Sequence, residues 1–375
     1  MLHVAWRILT HQKGRTTLAA GGVFIAVLLI FVELGFFVAV PQGGMLIYDH
    51  MRFDLLVVSD KYLFQAQSGS FPRARLTAAL TVPQVAGATP VYLGGAKWRD
   101  PKGGLKLDIT VIGIDPAAGV FAVPDIERQT AILDRPDTVL VDAATRTLFG
   151  RLTTGRIVDI AGRPTTIGGQ YVLGTGFLGL GVIVASEANF FRMFPARPPD
   201  TVNLGLVTLK PGADPMAAAR ALRAKLPADT QVFTRPELVA HEVAYWTTRT
   251  ATGLIFGSGL VVSVIVGIMV LYQTLATQIT RQLPQFATLK AIGYGNRYLD
   301  GIVFIEALLI MAVAFVPAFG AALAVYALVR SQTLLPLSLD MPEFGAVLGI
   351  TLVMAAASAF LSLSGLRRAD PAEVF

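Results

Sequence analysis

Four apolar runs, residues 18–40, 254–274, 302–329 and 344–363, constrain this chain more than any other feature. Each is long enough to cross a bilayer core, which takes about 20 apolar residues. Inside a bilayer the backbone must satisfy its own hydrogen bonds, so each run has to be a helix. A long stretch of mixed charge separates the first run from the second, and the last three follow in close succession. The expected fold class is therefore an α-helical membrane protein with four transmembrane helices. A large α+β extracytoplasmic domain lies between helices 1 and 2.

Charge supplies the expected orientation. Hydrophobic residues make up 54% of the chain, charged residues only 15%, and the net charge is +6. The surplus sits beside the runs. His3, Arg7, His11, Lys13 and Arg15 precede the first with no acid among them. Arg281, Lys290 and Arg297 lie between the second and third, and Arg367 and Arg368 follow the fourth. Basic residues in short loops favour the cytoplasmic side, so both termini and the loop after helix 2 are expected inside. Basic and acidic residues nearly balance in the soluble stretch, with no basic cluster interleaved with aromatics, so nucleic acid is not an expected partner.

The expected organisation has nine segments. Residues 1–16 form a cytoplasmic amphipathic N-terminal helix, read equally well as an extension of the first span. Residues 17–40 are transmembrane helix 1, long enough to be a retained anchor rather than a signal peptide. An extracytoplasmic (periplasmic) α+β domain with a stalk follows over 41–252. Transmembrane helix 2 covers 253–276, a cytoplasmic loop 277–301, and helix 3 302–329. A short outer loop covers 330–343, helix 4 344–364 and a cytoplasmic tail 365–375.

Within the domain, strands are expected at 53–59, 106–115, 138–142, 156–160, 165–173, 182–185, 202–209 and 230–233. Helices are expected at 143–149, 187–194 and 214–226. A last helix from about Pro236 meets no breaker until Gly253, so it reads as a rigid stalk running into the membrane.

Several motifs fail on context. Gly174-Thr175-Gly176-Phe177-Leu178-Gly179 matches GxGxxG, but a β-type run follows where a dinucleotide site needs a helix. Leu361-Ser362-Leu363-Ser364-Gly365 echoes the ATP-binding-cassette signature, yet it closes a membrane helix, and no GxxxxGK[ST] phosphate loop exists. His3, His11, His50 and His241 have no metal-ligand spacing. There is no cysteine, and nothing resembles a strand–GxSxG–helix elbow. Catalytic, cofactor-binding and metal-binding residues are accordingly expected to be absent. Glu33 and Glu306 are the intramembrane polar candidates, since charge at that depth is costly. The alternative for each is a side chain that faces other helices or is hydrogen-bonded near a span end, and Glu306, about four residues into its run, stands where snorkelling is easy.

The segment Leu283-Pro284-Gln285-Phe286-Ala287-Thr288-Leu289-Lys290-Ala291-Ile292-Gly293-Tyr294 resembles the E-x-x-x-L-K-A-x-G cytoplasmic loop of the FtsX/MacB class of ABC transporter permeases. The tail Asp370-Pro371-Ala372-Glu373 looks like that class's DPAE ending. Phe71–Leu76, Lys210–Pro215 and Ala244-Tyr245-Trp246 resemble its DevC-like members, so the likeness extends over the whole chain.

The resemblance implies a permease subunit of a DevBCA/MacB-type tripartite exporter. Its partners would be an ABC ATPase (DevA-like), an HlyD-like membrane fusion protein (DevB-like) and a TolC-like outer-membrane factor. Membrane lipids and a second copy of the chain complete the set, and ATP and Mg would be bound by the ATPase. It also implies that the short helix beginning at Pro284 couples to the ATPase through Pro284, Gln285, Phe286, Leu289, Lys290 and Gly293. The residues fit such a helix, with Pro in its first turn and Gly at its cap. Phe286, Leu289 and Ile292, at three-residue spacing, are expected to form one exposed apolar edge. Gln285 departs from the usual Glu, which weakens the case for an ionic contact there. The alternative implied function is that of FtsX-like relatives, which regulate an extracytoplasmic cell-wall hydrolase without transporting anything.

Overall fold

A computed structural model describes residues 13–100, 103, 105–174, 179–333, 335 and 337–368. Residues 1–12 of the expected amphipathic helix, 175–178 of the glycine loop and 369–375 of the tail lie outside the described residues. In chain order the elements are α1 (Lys13–Asp49), β1 (Leu55–Ser59), β2 (Phe71–Pro72), α2 (Ala74–Ala79), β3 (Val85–Arg99) and β4 (Leu107–Ile114). Next come α3 (Pro124–Glu127), β5 (Thr138–Asp142), β6 (Ile157–Ile160), β7 (Arg163–Tyr171), β8 (Val182–Ser186) and α4 (Glu187–Met193). The chain then forms β9 (Thr201–Val202), β10 (Leu204–Leu209), α5 (Pro215–Lys225), β11 (Thr230–Thr234) and α6 (Arg235–Thr248). It ends with α7 (Ala251–Ala291), α8 (Asn296–Thr333) and α9 (Met341–Arg368).

Two compact units result. The membrane unit holds α1 up to Ala39 together with α7, α8 and α9. Among the described residues these are the four helices long and apolar enough to cross a membrane. Val27, Ile30, Leu271, Ile302, Ala307 and Met354 are among its buried core. Small residues set the helix spacing. A Cβ on Gly267 of α7 would lie 2.3 Å from the Met354 sulfur of α9. One turn apart on α9, the Ser358 and Ser362 hydroxyls lie 3.1 and 3.3 Å from the carbonyls of Ile268 and Tyr272 on α7, and 2.8 Å from the carbonyls of Met354 and Ser358 in their own helix. Ser362, part of the signature-like pentapeptide, thus sits buried where α9 meets α7.

The outer unit is built on a mixed sheet in the order β11-β1-β10-β3-β4-β8-β5-β7-β6. β3 is its shared strand. Val85–Val91 pair with β10, Tyr92–Trp98 pair with β4, and Trp98 and Arg99 pair with β6. The last pairing closes β3, β4, β8, β5, β7 and β6 into a ring. Apolar residues on alternate sides feed two cores. One contains Val57, Tyr92, Trp98, Val111 and Phe190; the other contains Leu56, Val91, Ile112, Leu140 and Val184.

The structure departs from the expected elements in identifiable places. β3 was not anticipated, because Gly87, Pro90, Gly94 and Gly95 break its β-forming pattern. One of these glycines has a packing role. A Cβ on Gly94 would sit 2.7 Å from the Phe194 ring, and one on Gly113 of β4 would sit 2.7 Å from the Phe190 ring. The strands surrender side chains so that the α4 region can lie close against them. The expected helix at 143–149 is reduced to a single 3₁₀ turn, Thr147–Phe149. The expected strand at 202–209 is interrupted by Asn203, whose side chain bonds the Gly69 carbonyl and the Leu93 N–H instead.

The rigid stalk is also corrected. α6 ends at Thr248, and Arg249 and Thr250 leave the helix. Thr250 is extended and its hydroxyl caps α7 by accepting from Gly253 N. The same Thr that reads as a tolerated helix residue is a good N-cap, and capping wins.

Candidate functional site

The segment singled out by sequence lies at the end of α7. It is not a separate short helix. α7 runs unbroken to Ala291 with Pro284 inside it, so the expected loop at 277–301 shrinks to the few residues before α8. The helix then stops sharply. Gly293 has φ of 107°, its N–H bonds the Lys290 carbonyl, and the Tyr294 N–H bonds the Leu289 carbonyl, both at 3.1 Å. This paired arrangement is the Schellman motif, and it needs a residue free to adopt positive φ at Gly293. Tyr294 packs on Tyr298 of the next helix with ring centroids 4.5 Å apart.

The expected apolar edge divides in two. Phe286 is 7% exposed and joins the membrane-unit core, with Leu289 half-buried against it. Ile292 is 71% exposed, and Gln285, Thr288 and Lys290 are also exposed. The reason is geometric. Residues three apart fall about 60° short of a full turn, so two such steps carry Ile292 about 120° round from Phe286. Gln282, Phe286 and Leu289, at i, i+4 and i+7, form the inward stripe. Gln285, Thr288 and Ile292, at i, i+3 and i+7, form the outward one. Phe286 and Leu289 therefore hold the segment to its own bundle, and the free surface is made by Ile292, Tyr294, Lys290, Thr288 and Gln285.

Gln282 connects this segment to Glu306, and sequence reasoning missed it. Its Nε2 lies 3.5 Å from Glu306 Oε1 on α8. Glu306 is fully buried and faces other helices of its unit rather than snorkelling. Glu306 Oε2 and Gln282 Oε1 have no partner among the described residues. Gln278 and Gln282, one turn apart in an otherwise apolar helix, were the available signal.

Glu33 is elsewhere in the same unit. It is half-buried on α1, and a Cβ on Gly259 of α7 would come within 2.6–2.7 Å of its carboxyl atoms. Gly259 therefore makes the hollow in which the carboxylate lies. Phe36 stacks on Phe256 just beyond, with centroids 5.0 Å apart and planes within 4°. Glu33 and Glu306 have different neighbours, Gly259 for the first and Gln282 for the second, and the structure does not bring them together.

The outer unit presents no catalytic arrangement among the described residues. The hollow beside Asp115, Asp134, Ser186 and Glu187 is open, and Glu187 is already occupied by Arg73 and by Tyr92 Oη at 2.8 Å. His50 and His241 each engage a backbone carbonyl, of Leu46 and Leu63. Gly174, at the start of the glycine motif, is held by Asp142 on β5, which accepts from Gly174 N at 2.7 Å and from Ala144 N at 2.9 Å. Burial pushes the Asp142 carboxyl up, against the pull of those backbone donors.

The profile of the MacB-like periplasmic core domain matches residues 16–225, more than half of the chain. The chain belongs to the FtsX/MacB class of permeases. The profile of the FtsX-like permease C-terminal domain matches residues 257–371, which contain α8, α9 and most of α7. Members of this class work with an ABC ATPase. Four apolar helices and a domain of the periplasmic type fit a multi-pass protein of the inner membrane. Among solved structures, the permease is similar to the periplasmic region of MacB from Actinobacillus actinomycetemcomitans. That pair has 9% identity over 49% of this chain and 90% of that one, with a TM-score of 0.36. It is also similar to the extracellular domain of the ABC-type transporter YknZ from Gram-positive bacteria, with 16% identity, 48% and 99% coverage and a TM-score of 0.33. No curated protein matches the chain at a significant level.

Proposed function

We propose that this permease is the membrane subunit of a DevBCA/MacB-type tripartite exporter for a lipid-like or amphipathic cargo. In this reading both termini and the end of α7 face the cytoplasm. A separate ATPase binds ATP and Mg and docks on the segment around Ile292. Two copies of the chain pair, and ATP-driven closure moves the outer units mechanically. An HlyD-like adaptor and a TolC-like duct carry the cargo onward. The observation that carries the reading is the exposed stripe of Gln285, Thr288 and Ile292, fixed from behind by buried Phe286 and terminated at Gly293. An exposed, rigidly backed surface with one apolar side chain, Ile292, among polar neighbours is suited to a protein partner.

The test is co-purification of the ATPase in mild detergent. Ile292→Asp should weaken its retention on the order of 30-fold or more, the size of a hot-spot loss of about 2 kcal/mol. Lys290→Ala should change it by about 1 kcal/mol or less, as rim charges do. Undiminished retention by Ile292→Asp would remove the docking assignment. Sidedness is checked separately. A cysteine at Asp134 should react with an impermeant thiol reagent in spheroplasts, and one at Thr288 should not. The chain has no native cysteine to confuse the result. An HlyD-like adaptor among the co-purified proteins supports export; a cell-wall hydrolase in its place supports the FtsX-like regulatory role.

A further inference from the structure

A buried carboxylate joins three segments of the outer unit. Glu242, on α6, is fully buried. Tyr62, in the loop after β1, donates to Glu242 Oε1 at 2.5 Å. The Tyr48 hydroxyl, near the outward end of α1, lies 2.8 Å from the Tyr62 hydroxyl. Trp246 Nε1, one turn along α6, donates to Glu242 Oε2 at 3.2 Å, and the backbone N–H of Gln65 donates as well. A Cβ on Gly44 of α1 would lie 2.9 Å from Trp246 Nε1 and 3.3 Å from Glu242 Oε2, so only glycine lets the two helices meet at this point. Phe64 stacks on Tyr245 at 4.8 Å and meets Trp246 edge-on at 5.3 Å, which closes the cluster from the loop side.

Among the described residues, no lysine or arginine bonds this carboxylate. The titratable groups around it are Tyr48 from α1, Tyr62 from the loop and His241 from α6. The His241 ring lies 5.5 Å from the Tyr62 ring and engages the Leu63 carbonyl. Burial keeps the Tyr62 phenol protonated far above neutral pH. Glu242 is thus the carboxyl in this cluster that burial brings toward neutrality, and mutation separates it from the neighbouring His241 ring.

We propose that Tyr48, Tyr62, Glu242 and Trp246 form a proton-operated latch that fastens the end of α1 and the loop after β1 to α6, tight when Glu242 is protonated and loosened when it ionises. The chemistry of the bonds permits both states. An ionised Glu242 accepts from Tyr62, Trp246 and Gln65; a neutral one can donate back into the phenol chain, because the Tyr48–Tyr62 bond has no fixed direction. Burial raises the Glu242 carboxyl to about 7, with Tyr62 and Trp246 pulling the other way. The sign follows from linkage. Opening the latch exposes Glu242 to water and returns it to the ordinary carboxylate range. The closed form therefore binds the proton more tightly, is favoured below that ordinary range, and loses its advantage as pH rises through about 7.

Hydrogen exchange on the full-length chain in detergent tests this. After correction for intrinsic rates, peptides covering 44–67 and 238–248 should be on the order of tenfold less protected at pH 8.5 than at pH 5.5. Glu242→Gln should abolish the difference, and His241→Asn should leave it in place. Tyr62→Phe removes a donor that favours the ionised form, so it should move the midpoint to higher pH. Trp246 emission in a Trp6→Phe, Trp98→Phe background gives an optical readout of the same midpoint. Equal protection at both pH values in the parent chain overturns the latch. So does a pH response that survives Glu242→Gln, one that disappears with His241→Asn, or a Tyr62→Phe midpoint that stays or falls. Should Glu242→Gln fail to fold, the Tyr62→Phe and His241→Asn arms still decide.

Discussion

Glu242 in the outer unit and Glu306 in the membrane unit are both fully buried, yet their surroundings are opposites. Glu242 collects three donors from two side chains and a backbone N–H. Glu306 has one amide at the limit of hydrogen-bond distance and an oxygen with no partner among the described residues. The difference teaches that burial alone does not assign a role. A satisfied carboxylate organises the groups that point at it, and removing it strands them. An under-satisfied one holds fewer groups in place, so removing it strands fewer of them.

That contrast can be broken by mutation, and the largest effect should come from Glu242→Leu. It removes one acceptor shared by the Tyr62 hydroxyl, the Trp246 N–H and the Gln65 N–H; Tyr62 can still turn to the Tyr48 hydroxyl, and each group that is left unsatisfied costs about 1–3 kcal/mol. The outer unit should lose several kcal/mol, read as an earlier denaturant midpoint for Trp98 and Trp246. A loss below about 1 kcal/mol would mean that the cluster organises nothing.

Next in size is Gly113→Ala. It places a methyl 2.7 Å from the Phe190 ring and should cost about 1–3 kcal/mol by overpacking. Gly95→Ala, with no neighbour within 4 Å, is the control and should be nearly neutral in the same unfolding assay. The smallest effect should be that of Glu306→Leu, which removes a poorly partnered group from an apolar core. Thermal stability of the purified permease should stay within about 1 kcal/mol of the parent or rise. A large loss would place Glu306 with Glu242 as an organiser and erase the comparison.

How far the sequence could be read depends on what carried each signal. The four membrane helices are legible because their apolar runs are long and uninterrupted. β5 is legible because Thr138–Asp142 is a short apolar run bounded by turn formers, and α5 because Asp214 and Pro215 mark its start. β3 was hidden because Gly87, Pro90, Gly94 and Gly95 interrupt its β-forming pattern, and the packing that calls for Gly94 is against Phe194, distant in sequence. The break between α6 and α7 was hidden because Thr250 suits both a helix interior and a cap. At the candidate site, the segment could be located but not its orientation. Phe286 and Ile292 look equivalent when counted by threes, and only the 3.6-residue turn separates inward from outward. Gln282 and Gly259 matter through partners on other helices, which one chain's local pattern does not display.

The shared strand β3 has a consequence for how the molecule is made. Its partners come from β4, from Asp159 and Ile160, and from β10, while β1 waits for β11 at Thr230–Thr234. Such distant pairings are slow to close, because the loop entropy is lost before the contacts reward it. A growing chain emerges from its N-terminus, so neither core can be completed until β11 has been synthesised. The next long element after α6 is α7, which begins at Ala251. Completion of the sheet and delivery of the second membrane helix therefore fall in the same short interval of synthesis.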